Sequence, residues 1–125
     1  GGRATTSRVR FADWVPLGTH MMDWFTMHYA PTLAQQEDWR FRLLHVGREW
    51  LGRLPPTCVV LADEDPLLDE GAEFLEALRV AGVDAEGRVF ALKHGDFGSR
   101  SASEESLLYS TLWLRKKLFA GRVRA

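Results

Sequence analysis

The stretch Thr57-Cys-Val-Val-Leu-Ala-Asp-Glu-Asp65-Pro-Leu-Leu-Asp-Glu-Gly71 is followed, after a helical pattern, by Val89-Phe-Ala-Leu-Lys-His94-Gly95. The first apolar run ends in acidic side chains, a helix pattern begins at once, and a second apolar run ends in a histidine. This order predicts a βαβ unit with a carboxylate loop and an imidazole loop. Sites in open parallel sheets lie beyond the carboxyl ends of the strands, so we expect Asp65 and His94 to lie there together.

The helix predicted between these strands has a defined beginning, buried side and end. Asp69 opens it as the N-cap, where a carboxylate can accept from free backbone N–H groups. Its expected buried stripe consists of Phe74, Leu75, Leu78 and Ala81. Gly82 supplies the left-handed residue that ends it. With Asp69 assigned to the cap, Asp65 has no capping role of its own. Asp63 and Glu64 compete with Asp65 as candidates for a catalytic carboxylate.

The chain before the first strand is expected to be mostly helical. Residues 1–13 are predicted to be a flexible or edge segment, since 8–11 alternate in polarity as a short strand does. Within the helical segment 14–54, one helix is predicted over 21–29 and a longer one over 35–51. In the first of these helices a single face is predicted to carry Met21, Trp24, Phe25 and His28. This pattern indicates an amphipathic helix that covers a sheet.

Residues 55–125 are expected to form strand, helix, strand and helix, with the Asp and His loops between them. The last helix is predicted to begin with a capping box, Ser101-x-x-Glu104. Its predicted apolar stripe is Leu107, Leu108, Thr111, Leu114 and Leu118. Arg122 and Arg124 follow it, and either helix-end electrostatics or a basic interaction tail explains them.

Composition limits the functions that are open to this chain. At 125 residues it is one domain at most, with 46% hydrophobic and 26% charged residues. A net charge of −1 argues against a general nucleic-acid binder, and no apolar run approaches the ~20 residues of a membrane span. The single cysteine, Cys58, forms no intramolecular disulfide and is expected to be inert core, so the compartment is undetermined. His20, His28 and His45 lack metal-ligand spacing, so no metal site or cofactor is predicted.

Several of these motifs resemble those of a known family. The motifs Pro55-Pro56-Thr57, Asp65 to Gly71, Leu78-Arg-Val-Ala-Gly-Val83 and His94-Gly95 are similar to the C-terminal part of the hormone-sensitive-lipase-like serine esterases. The resemblance implies an α/β chain with a partial α/β-hydrolase fold, namely its last two parallel strands with flanking helices. It implies that Asp65 and His94 are the acid and base of a Ser-Asp-His triad. It further implies that the wall of the substrate pocket includes Trp24, Phe25 and His28.

The sequence also departs from this family. It contains no Gly-x-Ser-x-Gly for a nucleophile and no His-Gly-Gly run for an oxyanion hole. Ser99 follows the histidine, which is the wrong order for the nucleophile of this fold. Asp96 stands where relatives have Phe, so it is expected to tilt the loop or to offer His94 a second carboxylate. Residues 41–47 replace the usual Ser-Pro-Leu stretch, which changes the local path of the chain.

Two functions therefore stay open. In the first, this chain supplies the Asp and His of a carboxylesterase or lipase-like hydrolase that acts on a small acyl ester, while the serine lies outside the chain. In the second, it is a non-catalytic subunit or fragment of the fold with a packing or partner-binding role. Two parallel strands are marginal alone, so the expected partner is the remaining N-terminal part of the hydrolase fold or another chain. The opening Gly1-Gly2 likewise indicates a processed chain, a trimmed chain or a fragment.

Overall fold

The computed structural model describes residues 4–98 and 103–120. The helices are α1 (Thr6–Arg10), α2 (Thr19–Tyr29), α3 (Leu33–Glu37), α4 (Arg48–Leu51), α5 (Leu68–Val80) and α6 (Glu104–Phe119). The strands are β1 (Thr57–Glu64) and β2 (Ala85–Lys93), and short 3-10 turns occupy Leu43–His45 and Asp96–Gly98. No helix in these ranges is long and apolar enough to cross a lipid bilayer.

The predicted βαβ unit is present. β1 and β2 pair in parallel, from Thr57 opposite Ala85 to Glu64 opposite Lys93, and α5 crosses between them. At the end of α5, Gly82 has a φ of +83°, and the N–H of Val83 donates to the carbonyl of Leu78 at 3.0 Å. This left-handed glycine turns the chain back into the sheet, as the sequence indicates.

Helices cover both faces of the two-stranded sheet because successive side chains of a strand point to opposite sides. On one face, α5 contributes Leu78, which is fully buried and forms a cluster with the buried residues Leu51 and Val83. The other face carries a cluster of Ala62, Phe90 and Leu92, against which Tyr109 of α6 packs. Phe90 and Tyr109 meet edge to face, with ring centroids 5.6 Å apart. The two strand ends that carry Asp65 and His94 are thus held between two helical layers.

Gly87 marks a close approach between β2, its partner strand and α5. A Cβ built there would lie 2.5 Å from Leu75 Cδ2 and 2.9 Å from the backbone oxygen of Val59. We expect Gly87→Ala to lower the free energy of unfolding by about 1–3 kcal/mol, because a backbone atom cannot move aside as a side-chain end can. Urea denaturation followed by tryptophan fluorescence measures this change.

Gly47 provides a matched control for that substitution. A Cβ at Gly47 would meet only the carboxyl group of Glu49, an exposed and movable side-chain end. Gly47→Ala is therefore expected to cost less, within about 1 kcal/mol. Equal losses for the two variants would show that β2 tolerates a side chain at Gly87.

The strand predicted over residues 8–11 is wrong, because residues 8–10 lie within α1 and Phe11 is the C-cap of that helix. Thr5 caps α1 by accepting from the backbone N–H of Arg8 at 3.2 Å. Ser7 is buried against the start of α5, whereas Val9 is 68% exposed. The alternation of charged and apolar residues in this segment therefore does not indicate a strand with one buried face. The Thr5 cap and the docking of Ser7 select the helical conformation.

The continuous helix predicted over residues 35–51 is also wrong. The chain leaves α3 at Asp38, whose backbone is extended, and it turns again at Gly47 before α4. The carboxylate of Asp38 accepts from the backbone N–H of Arg40 at 2.9 Å and binds its guanidinium, which lowers the pKa of Asp38 to about 2. This local bonding competes with the helical ladder. Trp39 and Trp50, which suggested a buried stripe, are 61% and 57% exposed.

The side of α6 that faces the sheet differs from the prediction. The five residues of the predicted stripe are all exposed. The more buried positions are Ser106, Tyr109, Ser110, Trp113 and Lys117. Their spacing is also helical, so periodicity alone did not decide which side would pack. The helix begins at Glu104 after Ser103, while Ser101 of the predicted capping box, Arg122 and Arg124 lie outside the described residues.

Candidate active site

Asp65 and His94 meet where β1 and β2 end. The backbone N–H of His94 donates to the carbonyl of Glu64 at 3.3 Å, which extends the strand pairing to the histidine itself. Its Nδ1 lies 2.9 Å from Asp65 Oδ2. A carboxylate can only accept, so Nδ1 carries the hydrogen, and in the neutral ring the lone pair then lies on Nε2. The pair is thus set up to orient an imidazole that can take a proton.

Burial and a tight turn hold the Asp65 carboxylate in place. The residue is 7% exposed, and the His94 side chain keeps 32% of its exposure. Asp65 Oδ1 accepts from the backbone N–H of Leu67 at 2.8 Å, and its carbonyl accepts from the N–H of Leu68 at 3.1 Å. Asp65 is not the N-cap of α5, as expected, but its side chain closes an Asx turn that leads into this helix. The second oxygen is left to face His94.

The two competing acids of this strand end have other partners. Asp63 Oδ1 accepts from the backbone N–H of Leu92 at 3.0 Å, at the register shift between Ala62 and Glu64. The side chain thereby satisfies a backbone group that the irregular pairing would leave without its strand partner. Glu64 lies 3.9 Å from Lys93 in an ion pair between exposed side chains. Neither contact involves His94.

Asp69 and Asp96 bond groups other than His94. Asp69 is the second residue of α5, whose N-cap is Leu67, and its Oδ2 accepts from the backbone N–H of Ser7 at 2.8 Å. Asp96 Oδ2 accepts from the backbone N–H of Lys93 at 2.8 Å, which closes the turn after β2. The carboxylate that contacts His94 is therefore that of Asp65.

The three residues assigned to the substrate pocket form an exposed aromatic cluster on α2. Trp24 stacks on His28 with ring centroids 4.0 Å apart and meets Phe25 edge to face at 5.2 Å. Trp24 and Phe25 are 51% and 52% exposed, and the residue of α2 that is buried is Met22. The helices with most contacts to the two described strands are α5 and α6, so α2 is not the helix that covers this part of the sheet.

An open groove of about 960 Å³ lies along β1, α5 and the turn Leu43–His45. Its wall includes Asp65 together with apolar side chains such as Leu61, Leu68 and Phe74. It does not include His94 or the aromatic cluster of α2. The acid of the pair is thus reached from a surface that is partly apolar, which suits an apolar ligand.

The described residues favour neither a reactive thiol nor a metal centre. Burial raises the pKa of the Cys58 thiol, which disfavours the reactive thiolate. Among residues 4–98 and 103–120, no group of His, Cys, Asp and Glu side chains is arranged to hold a metal ion.

Sequence reasoning missed one residue of the site, Ser7. It is 4% exposed, and its Oγ donates to the carbonyl of Pro66 at 2.9 Å and accepts from the N–H of Asp69 at 3.2 Å. These partners lie 59 and 62 positions away along the chain. No local pattern around Ser7 predicts such contacts.

Comparison with known proteins agrees with this fold. Residues 2–96 match the family described as the alpha/beta hydrolase fold, and the chain belongs to that family. The resemblance to hormone-sensitive-lipase-like esterases is confirmed. An esterase of Gibberella moniliformis is 35% identical over 80 residues, which are 63% of this chain and 25% of that protein. An esterase of Fusarium pseudograminearum is 40% identical over 65 residues, which are 51% of this chain and 20% of that protein.

Solved esterase structures show the same arrangement of elements. A fungal esterase from Rhizomucor miehei superimposes with a TM-score of 0.88 at 28% identity, covering 96% of this chain and 38% of that one. The Pyrobaculum calidifontis esterase gives a TM-score of 0.78 at 26% identity, covering 92% and 38% of the two chains. This chain therefore spans a quarter or less of the curated relatives and under two fifths of these structures.

Proposed function

We propose that this chain supplies the acid and base of a Ser-Asp-His triad in a carboxylic-ester hydrolase. The observation that carries the proposal is the 2.9 Å contact between His94 Nδ1 and Asp65 Oδ2 at adjacent strand ends. The order of the two residues along the chain, Asp before His, is that of the α/β-hydrolase triad. The esterase relatives support the same class of reaction.

Each residue then has a defined step. His94 Nε2 takes the proton of a serine hydroxyl as the serine oxygen attacks the ester carbonyl. Asp65 holds the ring in this tautomer and stabilises the imidazolium that forms. His94 returns the proton to the leaving alcohol, and it then activates the water that releases the acid from the acyl-enzyme. The proton taken from this water goes from His94 to the leaving serine oxygen, which regenerates the serine hydroxyl.

The serine is proposed to lie outside this sequence, on the remaining part of the fold. The sequence contains no Gly-x-Ser-x-Gly. Within the described ranges β1 pairs with β2 alone, so its other edge presents unpaired backbone groups. The groove beside β1 is open, and Trp24, Trp39 and Leu43 are largely exposed. An N-terminal part of the hydrolase fold that packs here would cover this surface and bring a nucleophile to His94.

The proposed substrate is a small acyl ester. The groove beside Asp65 has apolar walls, which suit an acyl chain. The cluster of Trp24, Phe25 and His28 is proposed to add to the pocket wall once the rest of the fold is in place.

The test compares this chain alone with the hydrolase in which it occurs beside a Gly-x-Ser-x-Gly segment. We expect the complete hydrolase to cleave p-nitrophenyl butyrate and to be labelled on serine by a fluorophosphonate probe. The chain alone is expected to do neither, because it has the base but no nucleophile elbow. Serine labelling of the isolated chain would overturn the assignment of the nucleophile. A complete hydrolase without esterase activity would favour a packing role.

A further inference from the structure

We propose that Ser7 and Asp69 position the Asp65 carboxylate. They belong to a hydrogen-bond network, called here the Ser7 clasp, that consists of the buried residues Thr5, Ser7 and Pro66 and the half-buried Asp69. This inference rests on the proposed function, since it assigns a task within the same triad. The clasp joins α1 to the turn between β1 and α5. It acts through the peptide group that lies between Pro66 and Leu67.

That peptide group is held from both sides. Its carbonyl, on Pro66, accepts from Ser7 Oγ at 2.9 Å. Its N–H, on Leu67, donates to Asp65 Oδ1 at 2.8 Å. Because a peptide unit is planar, fixing its carbonyl also fixes the direction of its N–H. Ser7 therefore sets the donor that orients Asp65, and Asp65 Oδ2 is then aimed at His94.

The hydrogens of the clasp can be assigned without conflict. Ser7 has one hydroxyl hydrogen, and the carbonyl of Pro66 can only accept it. Ser7 Oγ then accepts from the N–H of Asp69 at 3.2 Å and from the hydroxyl of Thr5 at 3.2 Å. Thr5 Oγ1 in turn accepts from the N–H of Arg8. Ser7 also donates its own N–H to Asp69 Oδ2 at 2.8 Å, so the clasp is closed in both directions.

Because these groups are buried, losing one of the hydrogen bonds is costly. Thr5 is 6% exposed, Ser7 is 4% exposed, and Pro66 is under 2% exposed. Polar groups without water must find their partners inside the protein, and a chain of such bonds polarises each member. The line from the Ser7 hydroxyl through the peptide group to Asp65 and His94 is such a chain. Loss of the first donor frees the turn to rotate and displaces the carboxylate.

The experiment measures steady-state kinetics of the complete hydrolase with p-nitrophenyl butyrate. Ser7→Ala is expected to lower kcat about 10- to 100-fold while KM changes by less than about twofold, since a displaced orienting group affects the chemical step. The far-downfield proton signal of an Nδ1–H held by a carboxylate should weaken in the same variant. If Ser7→Ala does not fold, Ser7→Cys replaces it in the experiment. Cysteine is nearly the same size as serine but a weak hydrogen-bond donor, so Ser7→Cys should show the same loss of kcat.

Ser106→Ala is the matched control. Ser106 is 3% exposed, and its hydroxyl donates to a backbone carbonyl at 2.9 Å, as that of Ser7 does, but within α6. Its kcat should stay near that of the wild type. Asp69→Asn keeps an oxygen that accepts from the Ser7 N–H, so its kcat should stay near that of the wild type. Asp69→Ala removes this acceptor and should lower kcat.

The outcomes separate the two proposals. If His94→Ala is inactive but Ser7→Ala has a wild-type kcat, the clasp is overturned and the triad stands. Equal losses in Ser7→Ala and Ser106→Ala also overturn the clasp, since they indicate general destabilisation. An active His94→Ala overturns the triad assignment and the clasp with it.

Discussion

Replacing His94 by Ala is expected to lower kcat of the complete hydrolase about 10⁵- to 10⁶-fold. The reason is that His94 is the proposed general base, and its Nδ1 is already committed to Asp65 at 2.9 Å. Without the ring, no group takes the proton of the attacking serine, so acylation fails at its first step. Pre-steady-state kinetics with p-nitrophenyl butyrate in excess should show the burst of p-nitrophenol disappear.

His20→Ala is the control for this experiment. His20 is an exposed residue in the first turn of α2, so its loss removes an imidazole without touching the strand ends. Its kcat should equal that of the wild type. Retention of the burst in His94→Ala, with His20→Ala also active, would reject His94 as the base.

Asp65→Asn is expected to lower kcat about 10⁴-fold with little change in fold. The turn dictates how the amide would sit. Its oxygen would keep the bond from the N–H of Leu67, which now goes to Asp65 Oδ1 at 2.8 Å, so its NH₂ group would face His94. Nδ1 would then have to accept, and the neutral ring would carry its hydrogen on Nε2. A ring in that tautomer cannot take the serine proton.

Asp63→Asn makes the same chemical change two residues away. Asp63 Oδ1 accepts from the N–H of Leu92, and an amide oxygen can take over that bond. Activity should be unchanged, and pH-rate profiles of both variants should be recorded beside the wild type. A large loss in Asp63→Asn combined with an active Asp65→Asn would show that the acid is Asp63 and that its assignment to Asp65 is wrong.

The choice among neighbouring carboxylates shows where sequence reasoning reached its limit. The sequence points to Asp65 because the family motif places the acid there. The structure adds a physical separation of roles, since Asp63 bonds the backbone of β2 and Asp69 bonds Ser7. The prediction of Asp69 as a helix cap failed because its carboxylate has a partner from a distant segment.

Helix faces were the least predictable feature of this chain. The stripe chosen on α6 and the aromatic face of α2 both follow helical spacing, yet both are exposed within the described ranges. Apolar spacing records which residues share a side, but the side that becomes buried depends on what packs against it. The match to the Gibberella moniliformis esterase covers 25% of that protein, and the rest of it has no counterpart in the part of the fold described here.

Local patterns in the chain were enough to predict the βαβ unit, the left-handed stop at Gly82, and an aspartate and a histidine at neighbouring strand ends. Those features depend on side-chain alternation, glycine geometry and chain order, which are properties of residues close together in the chain. Only the folded chain shows that Ser7 bonds the turn after Asp65 and that Asp69 bonds Ser7 instead of capping α5. These depend on buried hydrogen bonds between segments about 60 residues apart, whose donors and acceptors find each other only once the chain has folded.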